Sequence, residues 1–243
     1  MSTTAPRSAS TGLNHDLVVD AAVELTRESH LFSWSIRDLA KRLGVGPSTI
    51  YHHVGGKDLL CRRVVERVGE HLVVPDPGLD WREWFRELLT SMGPIAMQYP
   101  GVAKWMLLHG PNTQAVMPAF GAGFAALNRA GFGEHTSIAY ALLMNNPMLT
   151  IALGDDRLLH EEDGPRDHAA MMHEFQRVAA GQPGMDTFMN ALMRPYADGG
   201  ESAAQARFAY FRFCIEITIA GLSSWLESGL TPFSTLTEAE GAS

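Results

Sequence analysis

The sequence predicts an all-α fold, and three features support this. Apolar residues recur at spacings of three and four along most of the chain, which is the period of one face of a helix. No segment shows the period-two alternation of a half-buried strand. Glycine and proline fall between the periodic segments, where helices end. The strongest break, Val74–Gly78, divides a domain at 13–73 from a domain at 74–243, and we expect residues 1–12 to be a polar, disordered arm.

Charge is unevenly distributed along the chain. The 243 residues carry a net charge of −8, which argues against non-specific nucleic-acid binding over the whole surface. Residues 35–67 hold seven basic and three acidic side chains, a local net charge of +4, so any DNA contact is expected there. The two cysteines, Cys61 and Cys214, have no metal-ligand spacing and suit a reducing cytoplasm. We expect a cytoplasmic, nucleoid-associated protein without a membrane-spanning segment.

Segment 35–57 has the pattern of two short helices joined by a tight turn. Ile36 and Leu39 begin an apolar stripe on the first helix, and Gly44 ends that helix where a left-handed backbone is needed. Pro47 fits the first position of the second helix, because no hydrogen bond is lost there. The exposed side chains of that helix are small and polar or aromatic with hydrogen-bonding groups, which suits the major groove of DNA. The segment is therefore predicted to be a helix-turn-helix.

A helix at 13–29, apolar on one face, is expected to cover the helix-turn-helix and complete a three-helix unit. Phe32, Trp34 and Ile36 are predicted to fill the open end of this unit, since large apolar side chains there need burial.

The run G-V-G-P-S-T-I-Y-H-H-V at 44–54, followed by Lys57 and Leu59-Leu60, resembles the recognition segment of the TetR family of bacterial repressors. The resemblance covers roughly residues 13–65. It implies that the downstream region is a helical, dimerising, ligand-binding domain, and that the protein binds a palindromic operator as a homodimer.

The side chains predicted to contact DNA lie on the two short helices and at the start of the next one. The candidates for base readout are Arg37, Pro47, Ser48 and Thr49, and those for phosphate contact are Tyr51, His53 and Lys57. His52 could serve either purpose. Pro47 stands where the family's namesake has a base-reading glutamine, and His52 where it has tryptophan. The operator sequence therefore cannot be carried over from the family.

A fourth helix is predicted from Lys57 to Leu72. A lysine in the first turn opposes the helix dipole, at a cost of roughly 0.3–1 kcal/mol. Two interpretations stay open. The ammonium binds a DNA phosphate, as the resemblance also implies, or it is solvated and offset by Asp58.

The larger domain is predicted to contain helices at 80–99, 102–109, 112–131, 134–153, 165–180, 185–196 and 201–227. The helix at 134–153 is expected to be interrupted at Asn145-Asn146-Pro147, because proline removes a backbone hydrogen bond and kinks a helix. Residues 154–164 are interpreted as an acidic loop.

The last helix carries two apolar faces. One is formed by Phe208, Phe211, Ile215, Ile219, Leu222 and Leu226, and the other by Tyr210, Phe213, Ile217, Gly221 and Ser224. A helix that is apolar on two faces has to be buried on both. We expect one face to pack on its own domain and the other on a partner subunit, the alternative being a central helix in a monomer.

Motifs of enzymatic chemistry are missing: the sequence has no phosphate-binding glycine loop, nucleophile elbow, zinc-protease pair or C-x-x-C. We therefore predict neither an enzyme nor a cofactor. One cluster has the residue types of a metal site, namely Asp155, Asp156, His160, Glu161, Glu162, Asp163, Asp167, His168 and His173. Charges clustered in a loop are more often a solvated surface, so no metal is predicted.

Methionines and aromatic residues are frequent in the larger domain and suit either a ligand cavity or an ordinary core. The predicted break at Asn145-Asn146-Pro147 favours a cavity, because amides in an apolar region need partners. The candidate pocket residues are Met97, Trp105, Met144, Asn145, Asn146 and Phe175.

These features predict a transcriptional regulator, most simply a repressor that binds its operator as a homodimer and is released by a small, largely apolar ligand. An alternative is an architectural or protein-recruiting DNA-binding dimer without a small-molecule ligand, which the lack of a cavity would favour. A helical enzyme with an appended DNA-binding unit is a third alternative, but no catalytic motif in the sequence supports it.

Overall fold

A computed structural model describes residues 13–158, 160–161, 164–165, 168–179, 182–195 and 200–229. The fold is all-α, as predicted. The described helices are α1 (His15–Glu28), α2 (Ile36–Leu43), α3 (Pro47–Val54), α4 (Lys57–Gly69), α5 (Trp81–Gln98), α6 (Val102–His109), α7 (Met117–Ala130), α8 (Thr136–Leu158), α9 (His168–Ala179), α10 (Met185–Phe188) and α11 (Gly200–Ser228). Short 3-10 turns, Gln114–Val116 and Gly133–His135, precede α7 and α8, and a π-helical turn, Met189–Met193, follows α10. Strands β1 (His160–Glu161) and β2 (Gly164–Pro165) form a small antiparallel pair that the sequence did not predict.

Local signals set the ends of the first helices. The Asn14 side chain accepts a hydrogen bond from the N–H of Leu17 at the start of α1. Ser35 and Asp38 form a reciprocal capping box at the start of α2, and Gly44 ends α2 with φ +68°. Pro47 lies in the first turn of α3. Helices α2 and α3 therefore begin and end where the sequence predicts.

Helices α1 to α4 pack around a core that includes Val18, Leu39, Ile50 and Val64, all fully buried. Trp34 and Ile36 are buried as predicted, whereas Phe32 is 43% exposed, so its predicted role in closing the unit is wrong. Side chains from outside the first four helices contribute to this core instead. They come from α6 and the turn before it, and they are Tyr99, Val102 and Trp105.

The core of the first four helices thus includes residues that lie beyond Val74. Leu31 donates its N–H to the carbonyl of Pro100 at 2.8 Å, which adds a backbone link between the two regions. The domain boundary after residue 73 stays a prediction, because residues on the two sides of it share one core.

Gly101 allows the closest approach between these regions. It has φ +90°, and a Cβ on it would lie 2.6 Å from Cε1 of His30. The His30 ring is 1% exposed and accepts a hydrogen bond from the N–H of Phe32 at 3.2 Å, so it has little room to move. Burial lowers the pKa of His30, which favours the neutral ring that this acceptor role requires.

We expect Gly101→Ala to lower the free energy of unfolding by about 1–3 kcal/mol more than Gly131→Ala does. Gly131 is the matched control, because its φ of +94° is similar while nothing lies within 4 Å of its added Cβ. Both alanines carry the left-handed backbone penalty of roughly 1–2 kcal/mol, and only Gly101→Ala adds a clash. Urea denaturation of the two variants measures the difference. Equal losses would mean that the His30 ring moves aside without cost.

Helix α8 lies at the centre of the larger domain, against α5, α6, α7 and α11. The helix continues through Pro147 to Leu158, so the predicted interruption is wrong. An internal proline costs about 3 kcal/mol. Buried side chains on both sides of it, among them Leu143, Met148 and Ile151, hold the helix in the core.

The expectation that no segment is apolar enough to span a membrane was also wrong. Residues 133–156 meet the length and composition required, although such a single helix is weak evidence for a membrane span. Its packing against four other helices is that of a core helix.

The acidic segment is the remaining difference from the predicted helices, because 154–158 belong to α8 rather than to a loop. Asp155 is fully buried and accepts hydrogen bonds from Arg207 at 2.6 Å and from the N–H of Gly101 at 3.0 Å. Burial raises the pKa of the Asp155 carboxyl, and these two donors act in the opposite direction. Asp156 pairs with Lys104 at 2.8 Å. Their charges therefore link α8 to α6 and α11.

Candidate DNA-binding surface and ligand cavity

The side chains predicted to read DNA lie on α2 and α3. Arg37, Pro47, Ser48 and His52 are exposed, as is Tyr51 at 53%. Thr49 and His53 are half-buried. Ile50 and Val54 on the opposite side of α3 are buried, so the helix is fixed by its apolar face and its polar face is turned outward.

Lys57 differs from the other candidates because its ammonium is used inside the protein. Nζ donates to the carbonyl of Leu31 at 2.9 Å and lies 2.7 Å from the centroid of the Trp34 ring. Burial lowers the pKa of Lys57 to about 8. Neither interpretation of the sequence, a phosphate contact or a solvated lysine, includes these two contacts. The carbonyl of Leu31 takes one of the three N–H donors of the ammonium.

Three exposed basic side chains in the helix-turn-helix region form neither an ion pair nor a side-chain hydrogen bond within the described part of the chain, namely Arg37, Lys41 and Arg63. Other cations there are engaged: Arg42 pairs with Glu28 at 2.5 Å, and Arg67 contacts three carboxylates. Lys41 and Arg63 were not among the predicted DNA contacts. Only the positive charge of residues 35–67, and no local motif, could have indicated them.

The larger domain contains a cavity of about 270 Å³ between α5, α6, α7 and α8. Its lining is mostly apolar, which is typical of a site for a small organic ligand. The lining residues are Met92, Met106, Leu107, Gly110, Pro111, Phe120, Tyr140, Ala141, Met144, Asn145 and Met148. We call it the main cavity.

Two polar side chains of the main cavity are suited to orient a ligand. Tyr140 is 8% exposed, and its hydroxyl has no hydrogen-bond partner in the part of the chain that the structure describes. Burial raises the pKa of Tyr140, so the hydroxyl keeps its proton and can donate. Asn145 is exposed and lines the cavity, which places its amide at the opening.

Of the predicted pocket residues, the structure brings together Met144 and Asn145 in the main cavity. Asn146, the next residue on α8, lies instead on an outer groove and donates to Thr218 of α11 at 3.4 Å. Three others lie elsewhere. Trp105 is in the core of the first four helices, stacked on His109, Met97 packs at the edge of the larger core, and Phe175 contacts Phe188 near α10.

Loop 110–116 joins the main cavity to α4. Gly110 and Pro111 line the cavity, and the next residues hydrogen-bond to α4. The Glu66 carboxylate accepts from the N–H of Ala115 at 2.8 Å and of Gln114 at 3.2 Å. These contacts replace a local N-cap, since the Thr113 side chain makes no capping hydrogen bond. Arg62 also donates to the carbonyl of Asn112 at 2.9 Å.

An apolar face on α8 and α11 remains exposed in the single chain. It includes Leu142, Leu149 and Leu153 of α8, with exposed fractions of 38–52%, and Tyr210, Phe213 and Ile217 of α11, at 48–61%. The outer groove between the two helices has a volume of about 350 Å³ and is lined in part by Ile217 and Gly221. Contiguous apolar surface of this kind marks an interaction site.

The structure describes only part of the acidic cluster that has the residue types of a metal site. Asp155 and Asp156 are occupied by Arg207 and Lys104. No group of three or more His, Cys, Asp or Glu in the described ranges is arranged to hold a metal. Glu162, Asp163 and Asp167, and the side chains of His160, Glu161 and His168, lie outside what the structure describes.

Comparison with known proteins agrees with this architecture. The family described as bacterial regulatory proteins, tetR family, matches residues 18–64. An HTH-type transcriptional regulator of Saccharopolyspora erythraea is 27% identical over 171 residues, which are 69% of this chain and 71% of that protein. The class D tetracycline repressor of Escherichia coli is 34% identical over 95 residues, 38% of this chain and 44% of the repressor.

Solved structures extend the similarity of fold to the larger domain. Apo ActR from Streptomyces coelicolor has a TM-score of 0.65 at 21% identity, covering 94% of this chain and 100% of ActR. ActR in complex with actinorhodin has the same TM-score and identity, covering 91% of this chain and 99% of ActR. Residues 18–64 therefore match the tetR family of bacterial regulatory proteins, and the chain as a whole shares the fold of ActR.

Proposed function

We propose that the protein is a homodimeric repressor that binds a palindromic operator and is released from it by a small, largely apolar ligand. The main support is that one chain combines an exposed recognition helix with an apolar cavity, and that loop 110–116 contacts both this cavity and α4. Ligand binding to ActR, with actinorhodin in one structure of it, is consistent with such a role. The cavity weighs against the alternative of an architectural DNA-binding dimer without a ligand.

The exposed face of α8 and α11 supports the homodimer. Two copies of this face would form a four-helix contact in which each buries the other's apolar side chains. A two-fold axis through it would present two copies of α3, so the operator would have two half-sites on one side of the duplex. DNA selected from a random library should therefore contain an inverted repeat. A selected motif with a single half-site would contradict the proposed dimer.

Base readout is assigned to Arg37, Pro47, Ser48 and Thr49, and phosphate contact to Tyr51 and His53, with His52 at either. For Lys57 we propose contact through the main chain, because the first N–H groups of α4 have no side-chain cap and form an anion site. This leaves the Lys57 ammonium in its contacts with Leu31 and Trp34.

Arg37→Ala is expected to relax the preference at one operator position, with a loss of roughly 1–3 kcal/mol on the selected sequence. Its side chain is exposed and has no ion-pair partner among the described residues, so the change should leave the fold intact. Fluorescence anisotropy on operators altered at single positions measures the effect, and circular dichroism checks the fold. An equal loss of affinity on all DNA sequences would show that Arg37 contacts the DNA backbone rather than a base.

The neighbouring asparagines of α8 provide a matched test of the main cavity. We expect Asn145→Ala to weaken ligand binding by about 0.5–1.5 kcal/mol, the net value of one hydrogen bond, and to weaken the release of operator accordingly. Asn146→Ala is the control, because Asn146 faces the outer groove and Thr218. Titration of both variants with compounds found by thermal-shift screening gives the comparison. If only Asn146→Ala lost the response, the ligand would bind on the outer-groove side of α8, which would contradict the proposed site.

A further inference from the structure

A second, smaller cavity adjoins the main cavity beside α4. Its volume is about 50 Å³, and it is bounded by α4, α5, α6, α8 and the turn before α7. Met92, Met106 and Met148 line both cavities. The remaining walls are apolar and include Val65 and Val68 of α4.

The chemistry of this space favours an alkyl group. All its lining residues are apolar, so a water molecule there would lack the two to four polar partners it needs. Protein interiors rarely leave such space unfilled. Methionine has three rotatable bonds and adapts to an irregular neighbour, so a wall of three methionines can part around a narrow chain. Gly69 lies close to Ala115, where an added Cβ would be 3.1 Å from the alanine Cβ, and this limits the depth of the space.

The main cavity has the character of a site for a flat ring. Phe120 and Tyr140 meet edge to face with ring centroids 4.9 Å apart, and Phe120 also contacts Phe124 at 5.4 Å. Aromatic side chains in such pairs present ring edges and faces to a third ring.

We infer that the small cavity is a subsite for a short unbranched alkyl arm, carried by a ligand whose aromatic body lies in the main cavity. This inference rests on the proposed ligand response, because the arm belongs to the ligand that occupies the main cavity. The arm would contact Val65 and Val68 directly, and α4 connects to the recognition helix. A space of this size holds roughly three to four non-hydrogen atoms.

The test uses alkylbenzenes from toluene to hexylbenzene, with the full-length protein and isothermal titration calorimetry. We expect the dissociation constant to fall about three- to four-fold for each methylene. The fall should stop after about three or four carbons, when the subsite is full. An affinity that does not change along the series would overturn the inference.

Val68→Ile adds one methylene at the wall of the subsite and should end the fall about one carbon earlier. Ala103→Val, at another wall of the same space, adds two carbons and should end the fall about two carbons earlier. It gives a second test if Val68→Ile does not fold. Val23→Ile is the control, because Val23 is a buried residue of α1 that lines neither cavity. Identical series for wild type and both subsite variants would overturn the inference.

Toluene separates this inference from the proposed function. If toluene binds and longer alkyl arms do not raise the affinity, the main cavity is a ligand site and the proposed subsite is wrong. If no member of the series binds, the subsite and the aromatic assignment both fail, while operator release by other compounds remains measurable by anisotropy.

Discussion

Gly221→Arg is expected to convert the protein to monomers and to weaken operator binding by roughly 10²–10⁴-fold, the gain that two linked contacts have over one. Gly221 lies on the outer groove between α8 and α11, and nothing lies within 4 Å of a Cβ added to it. The arginine therefore has space in the single chain and leaves its fold unchanged. In the proposed dimer the same space is filled by the partner, and a buried unpaired charge there is strongly unfavourable.

Gly121→Arg is the matched control. Gly121 lies within a helix, α7, is exposed, and likewise has nothing within 4 Å of an added Cβ, but it is not on the α8 and α11 face. Light scattering at micromolar concentration should give a dimer for wild type and Gly121→Arg and a monomer for Gly221→Arg. A monomeric wild-type protein, or a dimeric Gly221→Arg, would contradict the proposed interface.

The helix-turn-helix could be predicted from the sequence because its signals are local. Ser35 caps the helix that it precedes, Gly44 takes the left-handed conformation at the turn, and Pro47 begins the next helix. Each signal depends on a few neighbouring residues, so no knowledge of the tertiary structure is required. The same is true of the apolar spacing that gives most helix boundaries in the larger domain.

Features that the sequence did not indicate depend on residues distant in sequence. Asp155 reads as part of a solvated acidic loop, yet it is buried because Arg207, 52 residues away, pairs with it. The position of Lys57 over Trp34 likewise follows from how α4 packs on the α1–α2 connection.

The ligand cavity was predictable only in outline for the same reason. Methionine content suggested adaptable packing, but periodicity does not say which side of α8 faces a cavity. Asn145 and Asn146 are adjacent and equally polar, and only the positions of α5, α7 and α11 place one on the main cavity and the other on the outer groove.

The connection between ligand and DNA is proposed to run through Glu66. Its carboxylate holds two N–H groups of loop 110–116, and the same loop lines the main cavity through Gly110 and Pro111. A ligand that displaces this loop would therefore pull on α4 through a charge-assisted contact. Helix α4 follows α3 directly and shares its core, so a shift of α4 changes the separation of the two recognition helices in a dimer.

Glu66→Ala is accordingly expected to abolish the coupling of the two binding events while each event persists. Coupling in such proteins is typically 5–150-fold and reciprocal, so in wild type the ligand weakens operator binding by the same factor by which operator weakens ligand binding. In Glu66→Ala both factors should approach one, whereas the dissociation constants for operator alone and for ligand alone should change little. Stability should fall by about 0.5–2 kcal/mol, because the turn before α7 loses its cap.

Glu70→Ala, at the C-terminal cap of α4, is the control. Glu70 is exposed and contacts Arg67 at 3.4 Å, with no contact to loop 110–116 among the described residues. Anisotropy with labelled operator, at zero and saturating ligand, gives the coupling factor for wild type and both variants. The ligand titration repeated on the operator complex gives the reciprocal factor. If Glu66→Ala retained the wild-type factor, the response would have to pass through other contacts between the two regions. These include the Arg62–Asn112 hydrogen bond to the same loop, the packing of His30 on Gly101 and the Leu31–Pro100 hydrogen bond.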